Sequence, residues 1–483
     1  MSRRTVRVKN EQRAAVEARI TDKNCTIRDI ADAVNMNPAT VSSFLAWRGI
    51  DHLNFQKICR FLDLNSVEIG EPTKNNKSDC SSILRNSYFP SEFNHFIHER
   101  TTDFVGRGFV FNEINDFLTR KDSGYFVLIG EPGQGKSSIL CRYALDCLQE
   151  NNLKCIVHFN SREGGRNTAK RFLESVCRQL ILLFDLKDIS APHDPYEDDT
   201  FLSILLNHAS EKLGEKDKLL IIVDALDEVD LTKQASFSNI LYLPKILSRK
   251  TYFIVSRRPF SRNDERLFVG NCSKTECDLR KNIEAGIEDI KEYIVRFING
   301  KNSVGHEYAK QLKEWINSQN NLTQEEFVKL IAVDKSENNF MYVQYILPDI
   351  AEGKYISLAI TELPQGLADY YRQHWLRMEM SNKERSKDKL KVIYTISKVK
   401  TSCSIQSLVS YTQCNREVII LVLDEWYQFF RIDEIGSEEC FSIYHQSFND
   451  FLFDQALELS KIDPTEIKKI SKLIANSLGG DVF

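Results

Sequence analysis

The residues best suited to chemistry lie in one short run, Tyr125-Phe-Val-Leu-Ile-Gly-Glu-Pro-Gly-Gln-Gly-Lys-Ser-Ser138. Gly130, Gly133 and Gly135 let the backbone curl until its N–H groups converge, and Glu131, Pro132 and Gln134 complete the loop. The spacing Gly130-x-x-x-x-Gly135-Lys136-Ser137 is the phosphate-cradling P-loop pattern. Within it Lys136 would reach the β- and γ-phosphates of ATP, and the Ser137 hydroxyl would ligate Mg²⁺. Ser138 continues into a helix whose N-terminus adds positive potential. A second run, Leu219-Leu-Ile-Ile-Val-Asp-Ala-Leu-Asp-Glu228, places Asp224 after five apolar residues, where it would hold the hydrated Mg²⁺. Asp227 and Glu228 follow and could orient an attacking water. A third, Ser256-Arg-Arg-Pro259, supplies a cation to sense the γ-phosphate; spacing alone does not choose between Arg257 and Arg258.

These groups need a parallel sheet behind them. Residues 125–129, 154–159, 219–223 and 251–255 are short apolar runs with the composition of buried strands. Between them lie amphipathic stretches, beginning with Ile139, Leu140, Tyr143, Ala144, Cys147 and Leu148. Strand–helix alternation of this kind predicts an α/β domain that binds ligand at the carboxyl ends of its strands.

Composition excludes several alternatives. At 483 residues the chain has material for three or four domains, and its net charge of −4 gives no overall attraction to nucleic acid or membrane. The 12 cysteines include no C-x-x-C pair, so reduced thiols in a cytoplasmic protein are expected rather than zinc or a disulfide framework. No apolar run approaches the roughly eighteen residues of a membrane span, and no apolar signal segment follows Met1.

Residues 1–71 read as a small all-α domain. A basic arm (Arg3, Arg4, Arg7, Lys9) precedes a helical run, then Thr26-Ile-Arg-Asp-Ile-Ala-Asp-Ala-Val34, a turn, and Pro38-Ala-Thr-Val-Ser-Ser-Phe-Leu-Ala46. Asn37 suits a helix cap and Pro38 a first helical position. Two short helices about a tight turn form a helix-turn-helix, and the stretch resembles the DNA-binding domains of Xre/Cro-type repressors. The resemblance implies that Asn37, Ala39, Thr40 and Ser43 face a major groove while Arg48, Arg3 and Arg4 hold phosphates. Eleven Lys/Arg against nine Asp/Glu is a modest balance for a DNA binder, and a protein-docking role is the alternative.

The core motifs, together with Val105-Gly-Arg107 ahead of the P-loop, resemble a NACHT-type NTPase of the STAND class, the group of NOD-like innate immune receptors and their bacterial counterparts. Small Ala225 and the doubled acid Asp227-Glu228 fit the NACHT pattern, whereas the paired arginines depart from its usual single arginine. The resemblance implies that Val105 and Arg107 help hold the nucleotide, that Pro364 packs on the adenine, and that His445 contacts the β-phosphate of ADP. It also implies a division into a nucleotide-binding domain (101–279), a small helical domain (280–365) and a winged helix (366–455), with a linker before (72–100) and a helical tail after (456–483). The expected behaviour is a slow ATPase switch: an ADP-bound closed monomer, an ATP-bound homo-oligomer, and no membrane partner. Two settings fit that behaviour. One is an antiphage defence receptor, a setting in which the unknown trigger would be phage-derived, and the other is a transcription regulator acting on DNA through residues 1–71.

Overall fold

A computed structural model describes residues 5–9, 12–23, 25–34, 36, 38–47, 50–64, 69–72, 89–161, 165–235, 237–259, 266–319, 322–355, 362–381, 383–399, 401–435, 438–462 and 472. The chain divides into two compact units, Met1–Ser82 and Ile83–Phe483.

The first unit combines helices α1 (Arg13–Lys23), α2 (Ile27–Ala33), α3 (Pro38–Leu45) and α4 (His52–Phe61) with strands β1 (Thr5–Val8), β2 (Ile50–Asp51) and β3 (Gly70–Pro72). Antiparallel pairing gives the order β2-β1-β3. The expected all-α domain is therefore corrected to a mixed one. Among the described residues of the basic arm, Thr5-Val-Arg-Val8 is rich in β-branched residues, forms β1 and buries Val8 in the core. That core gathers Val16, Ile30, Val41, Phe44, Phe55, Ile58 and Leu62. Thr26 and Asp29 form a reciprocal capping box that fixes the start of α2. Thr40 and Ser43 lie half-buried on α3, whereas Arg3, Arg4, Asn37 and Arg48 lie outside the described residues.

The second unit is built on five parallel strands: β4 (Gly124–Ile129), β5 (Leu153–Phe159), β6 (Lys218–Asp224), β7 (Thr251–Arg257) and β8 (Lys274–Asp278), in the order β5-β6-β7-β4-β8. Every residue of β4 and β7 is buried, which explains the apolar runs 125–129 and 252–255. β8 was not legible, because alternating Lys-Thr-Glu-Cys-Asp hides an edge strand. Helices α5 (Ser91–Thr101), α6 (Gly108–Arg120), α7 (Lys136–Cys147), α8 (Ala169–Phe184) and α9 (Thr200–Lys212) surround the sheet. On the open edge of β5, the Gln179 amide of α8 accepts from Val157 N–H at 3.0 Å and donates to Val157 C=O at 2.8 Å. It occupies hydrogen-bonding groups that another chain could otherwise pair with.

Residues 72–100 are corrected in part from a linker. Ser91–Thr101 is a helix, α5, whose Phe93 and Ile97 one turn apart are buried while its polar residues mask the stripe. Residues 73–88 lie outside the described residues.

Beyond the sheet come α10 (Ile283–Ile298), α11 (Gly305–Ser318), α12 (Gln324–Lys329) with a π turn at Leu330–Lys335, α13 (Phe340–Ala351) and α14 (Gly366–Arg377). They are followed by α15 (Lys383–Lys398), β9 (Cys403–Ser404), α16 (Ile405–Thr412), α17 (Arg416–Glu425), β10 (Phe430–Ile435), β11 (Glu438–Ile443) and α18 (Gln446–Ile462). The three strands form an antiparallel sheet ordered β10-β11-β9. One continuous core joins this whole region from Ile290 to Leu452. Its centre is aromatic: Tyr345 stacks on Tyr370 at 5.4 Å, and Phe429 on Phe448 at 4.4 Å. A separate core lies on one face of the parallel sheet. Of the expected tail, residues 463–471 and 473–483 fall outside the described residues. Among the described residues no helix is long and apolar enough to cross a membrane, and the cysteines are free thiols.

His158, on β5, is 2% exposed, bonded through Nε2 to Arg166 C=O at 3.1 Å and packed edge-on against Phe93 and Phe172. Burial, and next to it the Arg166 charge, brings its pKa down from 6.5 to about 4. The folded value lies below the unfolded one, so stability is full above pH 6.5 and is lost as pH falls towards 4. Chemical denaturation at pH 8 and pH 5 should show the wild type losing roughly 2 kcal/mol more than His158→Phe. Equal losses would mean that the folded ring takes up a proton as readily as the unfolded one, against the effect of burial.

Candidate functional site

The P-loop joins β4 to α7 at the carboxyl edge of the sheet. Gly133 and Gly135 take φ of +84° and +87°, a left-handed turn that only glycine adopts without strain. Gln134 stiffens the curl by accepting Glu131 N–H on its side-chain oxygen at 2.8 Å. Lys136 Nζ donates to Gly130 C=O at 2.8 Å and Glu131 C=O at 3.1 Å, so the ammonium sits inside the loop. Burial is the main influence on it and lowers its pKa, opposed by Asp227 and Asp224.

Asp224 ends β6 and is 2% exposed. Burial raises its pKa, while hydrogen bonds from Ser137 and Ser256 oppose the rise. Because β7 lies between β6 and β4, Ser256 stands beside Asp224; its hydroxyl donates to the carboxylate and accepts from Ala225 N–H at 2.8 Å. Ala225 itself takes φ +54°, which turns the chain sharply after the strand. Asn160 Nδ2 holds the Asp224 carbonyl at 2.6 Å from the neighbouring strand end. A hydroxyl and a carboxylate already in contact are the hard oxygen donors that suit Mg²⁺, which takes few protein ligands and completes its shell with water and phosphate. Among the described residues no cluster of three or more His, Cys, Asp or Glu offers a protein-only metal cage.

The two arginines part company. Arg257, the last residue of β7, is buried and reaches Glu276 on β8 at 3.5 Å. Arg258 turns to the opposite side. Its Nε pairs with Asp227 at 2.8 Å, its backbone N–H donates to the same carboxylate at 3.1 Å, and its Nη1 meets Asp450 on α18 at 2.6 Å. Burial works against the Arg258 charge, but Asp450 and then Asp227 outweigh it and raise the pKa. Glu228 lies in the short turn after Ala225, and its carbonyl accepts from Asn167 at 2.9 Å.

His445 begins the approach to α18. Its Nδ1 accepts Ser447 N–H at 3.2 Å, which leaves the proton on Nε2, and Ser447 Oγ meets Tyr371 Oη at 3.0 Å. Burial, then Arg100, Lys136 and Arg258, hold its pKa well below the usual histidine range. Lys136, Asp224, Asp227, Arg258 and His445 thus converge.

Pro364 and the Val105–Arg107 segment join this site through the helices. Arg107, 2% exposed, donates from Nη2 to Gln134 C=O at 2.8 Å and from its backbone to Asp289 on α10 at 2.9 Å, and it covers Phe340 at 4.8 Å. Val105 is buried in the helical core. Asn339 caps α13 and its Nδ2 donates to Pro132 C=O at 3.0 Å, while Met341 N–H reaches Gly133 C=O at 3.3 Å. A side chain at Gly133 would strike the Asn339 amide. One turn on, Tyr342 Oη donates to the carbonyl of buried Pro364 at 2.7 Å. Glu131 faces solvent with Arg280 at 3.7 Å, and Ser138 is half-buried on α7.

Sequence reasoning missed Ser256 as an Asp224 ligand, Asn339, Asp289, Asp450 and Arg100. Arg100 Nη1 donates to Tyr444 Oη at 3.2 Å and the guanidinium stacks over the same ring at 4.9 Å. Only Ser256 carried a signal, as a polar residue closing an apolar strand.

The sheet, the loop and the carboxylate opposite it define a P-loop NTPase-like fold. In agreement, residues 110–257 match the family model described as Nephrocystin 3, N-terminal. Among solved structures the chain is similar to a Drosophila ORC structure bound to DNA, at 12% identity and a TM-score of 0.27, covering 79% of this chain and 97% of that one. It is also similar to Cdc6p from Pyrobaculum aerophilum, at 10% identity and 0.27, covering 78% and 98%. No curated protein matches the chain.

Arg107→Ala would leave Asp289 with an uncompensated, partly buried charge and free the Gln134 carbonyl. Breaking such a pair costs on the order of 3 kcal/mol, and removing both partners costs less than removing one. Thermal melts of Arg107→Ala, Asp289→Asn and the double variant should show the double recovering stability relative to Arg107→Ala. Strict additivity would refute the coupling.

Proposed function

We propose that the protein is a nucleotide-gated switch, a slow ATPase of the NACHT-type STAND class. The observation that carries this is the meeting of three parts at one loop. The P-loop is touched by the start of α13 through Asn339, and the adjacent Asp227 is tied by Arg258 to Asp450 of α18. A nucleotide bound there would sense, and be sensed by, both.

In this reading Gly130, Glu131, Pro132, Gly133, Gln134, Gly135, Lys136, Ser137 and Ser138 cradle the phosphates. Val105, Arg107 and Pro364 shape the base end, and His445 Nε2–H donates to the β-phosphate of ADP. The support for His445 is its neutral, Nε2-protonated ring beside Lys136 and Arg258. Ser137 and Asp224 would hold Mg²⁺, which when bound polarises the phosphoryl oxygens. Asp227 and Glu228 would orient water. Arg258 is assigned as the γ-phosphate sensor in preference to Arg257, since Arg257 is drawn away to Glu276.

The winged helix expected over 366–455 is supported by the order after residue 383 of a helix, a short strand, two helices and two paired strands, followed by α18. ADP would hold this element closed, and ATP would release it and expose a surface for homo-oligomer assembly in the cytoplasm. The biological setting we favour is antiphage defence, with residues 1–71 recruiting a partner once oligomers form. A second reading, a regulator bound to DNA, is favoured by the capped α2–turn–α3 arrangement, which suits a helix-turn-helix.

Purified wild type should carry ADP, and Lys136→Ala should carry none; full nucleotide content in that variant would sink the site. On a sizing column with ATP, His445→Leu should elute as an oligomer where the wild type stays largely monomeric, and an unchanged monomer would count against the latch. Duplex DNA followed by anisotropy with ADP and with ATP separates the two settings. ATP-dependent, salt-sensitive binding supports the regulator, and no binding in either state supports defence.

A further inference from the structure

We propose that Asp450 is a specificity-determining residue that sets the balance between ADP and ATP by occupying the guanidinium of Arg258. The proposal rests on the P-loop being the nucleotide site. It goes beyond that reading because the resemblance assigns no role to this aspartate.

Arg258 is shared between two carboxylates on different parts of the chain. Asp227 takes its Nε and its backbone N–H, which fixes the base of the side chain beside the acid that would face the water. Asp450 takes Nη1 at 2.6 Å. The other Asp450 oxygen accepts Gln446 Nε2 at 2.9 Å, so the carboxylate is aimed at Arg258 by a neighbour one turn earlier on α18. Both side chains are partly open, Arg258 at 25% and Asp450 at 42%, so the pair can be broken without exposing a buried charge.

A guanidinium has a limited number of edges, and an edge that donates to Asp450 is unavailable to another anion. A γ-phosphate is such an anion, with stronger charge and oxygens that can accept from the same Nη1 edge. ADP does not need the Arg258 edge, whereas the γ-phosphate of ATP would compete with Asp450 for it. The carboxylate therefore taxes ATP alone, and it does so from an element that the proposed switch moves. Asp227 cannot play this part, because it stays on the same domain as Arg258 in every state of that domain. Asp450 acts through Arg258 and is a positioning residue.

The test is a comparison of the ratio of ATP to ADP dissociation constants, measured by calorimetry with Mg²⁺ on the full chain. Asp450→Asn keeps the shape and the Gln446 contact but removes the charge, and it should shift the ratio about tenfold towards ATP. Asp450→Glu should restore the wild-type ratio. In an Arg258→Ala background Asp450→Asn should have no further effect on the ratio. An unchanged ratio in Asp450→Asn, or the same shift with and without Arg258, would overturn the proposal. Should Asp450→Asn fold poorly, Gln446→Ala, which only loosens the carboxylate, should give a smaller shift of the same sign; no shift there refutes the proposal too. Failure of the P-loop reading looks different: Lys136→Ala would then bind both nucleotides normally.

Discussion

The constraint on which the rest depends is the desolvation of charge around the P-loop. Lys136, Asp224 and His445 are all pushed towards their neutral forms by burial; Lys136 is held by its own loop, while Asp224 is held by groups that arrive from elsewhere in the chain. A buried ammonium opposite a buried carboxylate is costly without neighbours to satisfy both. Here Ser137 and Ser256 satisfy the carboxylate, and the loop carbonyls satisfy the ammonium. Phosphate would replace the carbonyls as the partner of Lys136 at little reorganisation, which is the preorganisation that nucleotide binding needs.

The parts of the site legible in the sequence were those fixed by local backbone rules. Gly133 and Gly135 announce themselves because only glycine takes their φ without strain, and Asp224 because an acid follows five apolar residues downstream of a P-loop. The partners were illegible because they are tertiary. Nothing in Asn339 marks it as a cap that also reaches Pro132, and nothing in Asp450 marks it out from the other acids of a polar helix face. The ambiguity of Arg257 and Arg258 was of the same kind. Adjacent residues at a strand end face opposite ways, so one goes past β4 to Glu276 on β8 and the other to the turn after β6, and only the placement of β8 decides which. β1 and α5 were missed for a related reason: each buries only one or two residues per turn or pleat, too few to stand out from a charged background.

The distribution of cores bears on what could move. The helices after the sheet and the β9–β11 element share one apolar core with stacked Tyr345, Tyr370, Phe429 and Phe448, so separating them would expose a large aromatic surface. Contacts of the P-loop region with α13 and α18 are by contrast a few polar ones: Asn339 to Pro132, Met341 to Gly133, Arg258 to Asp450. Each is worth about 1 kcal/mol net. Their sum, roughly 3 kcal/mol, is about half of the roughly 5.5 kcal/mol that carries a two-state equilibrium from nearly all closed to nearly all open.

That comparison of scale matters because, in the proposed switch, one phosphate would supply the difference. A nucleotide shifts an equilibrium only by its unequal affinity for the two states. Had the seam at the P-loop been apolar like the aromatic core, the loss of a few hydrogen bonds could not have opened it. A seam made of single ion pairs and caps, with glycine backbone on one side, can be unlocked by competition for those same donors. The division of labour between a greasy permanent core and a polar temporary seam is therefore what would let chemistry at Lys136 and Asp224 be felt at α18.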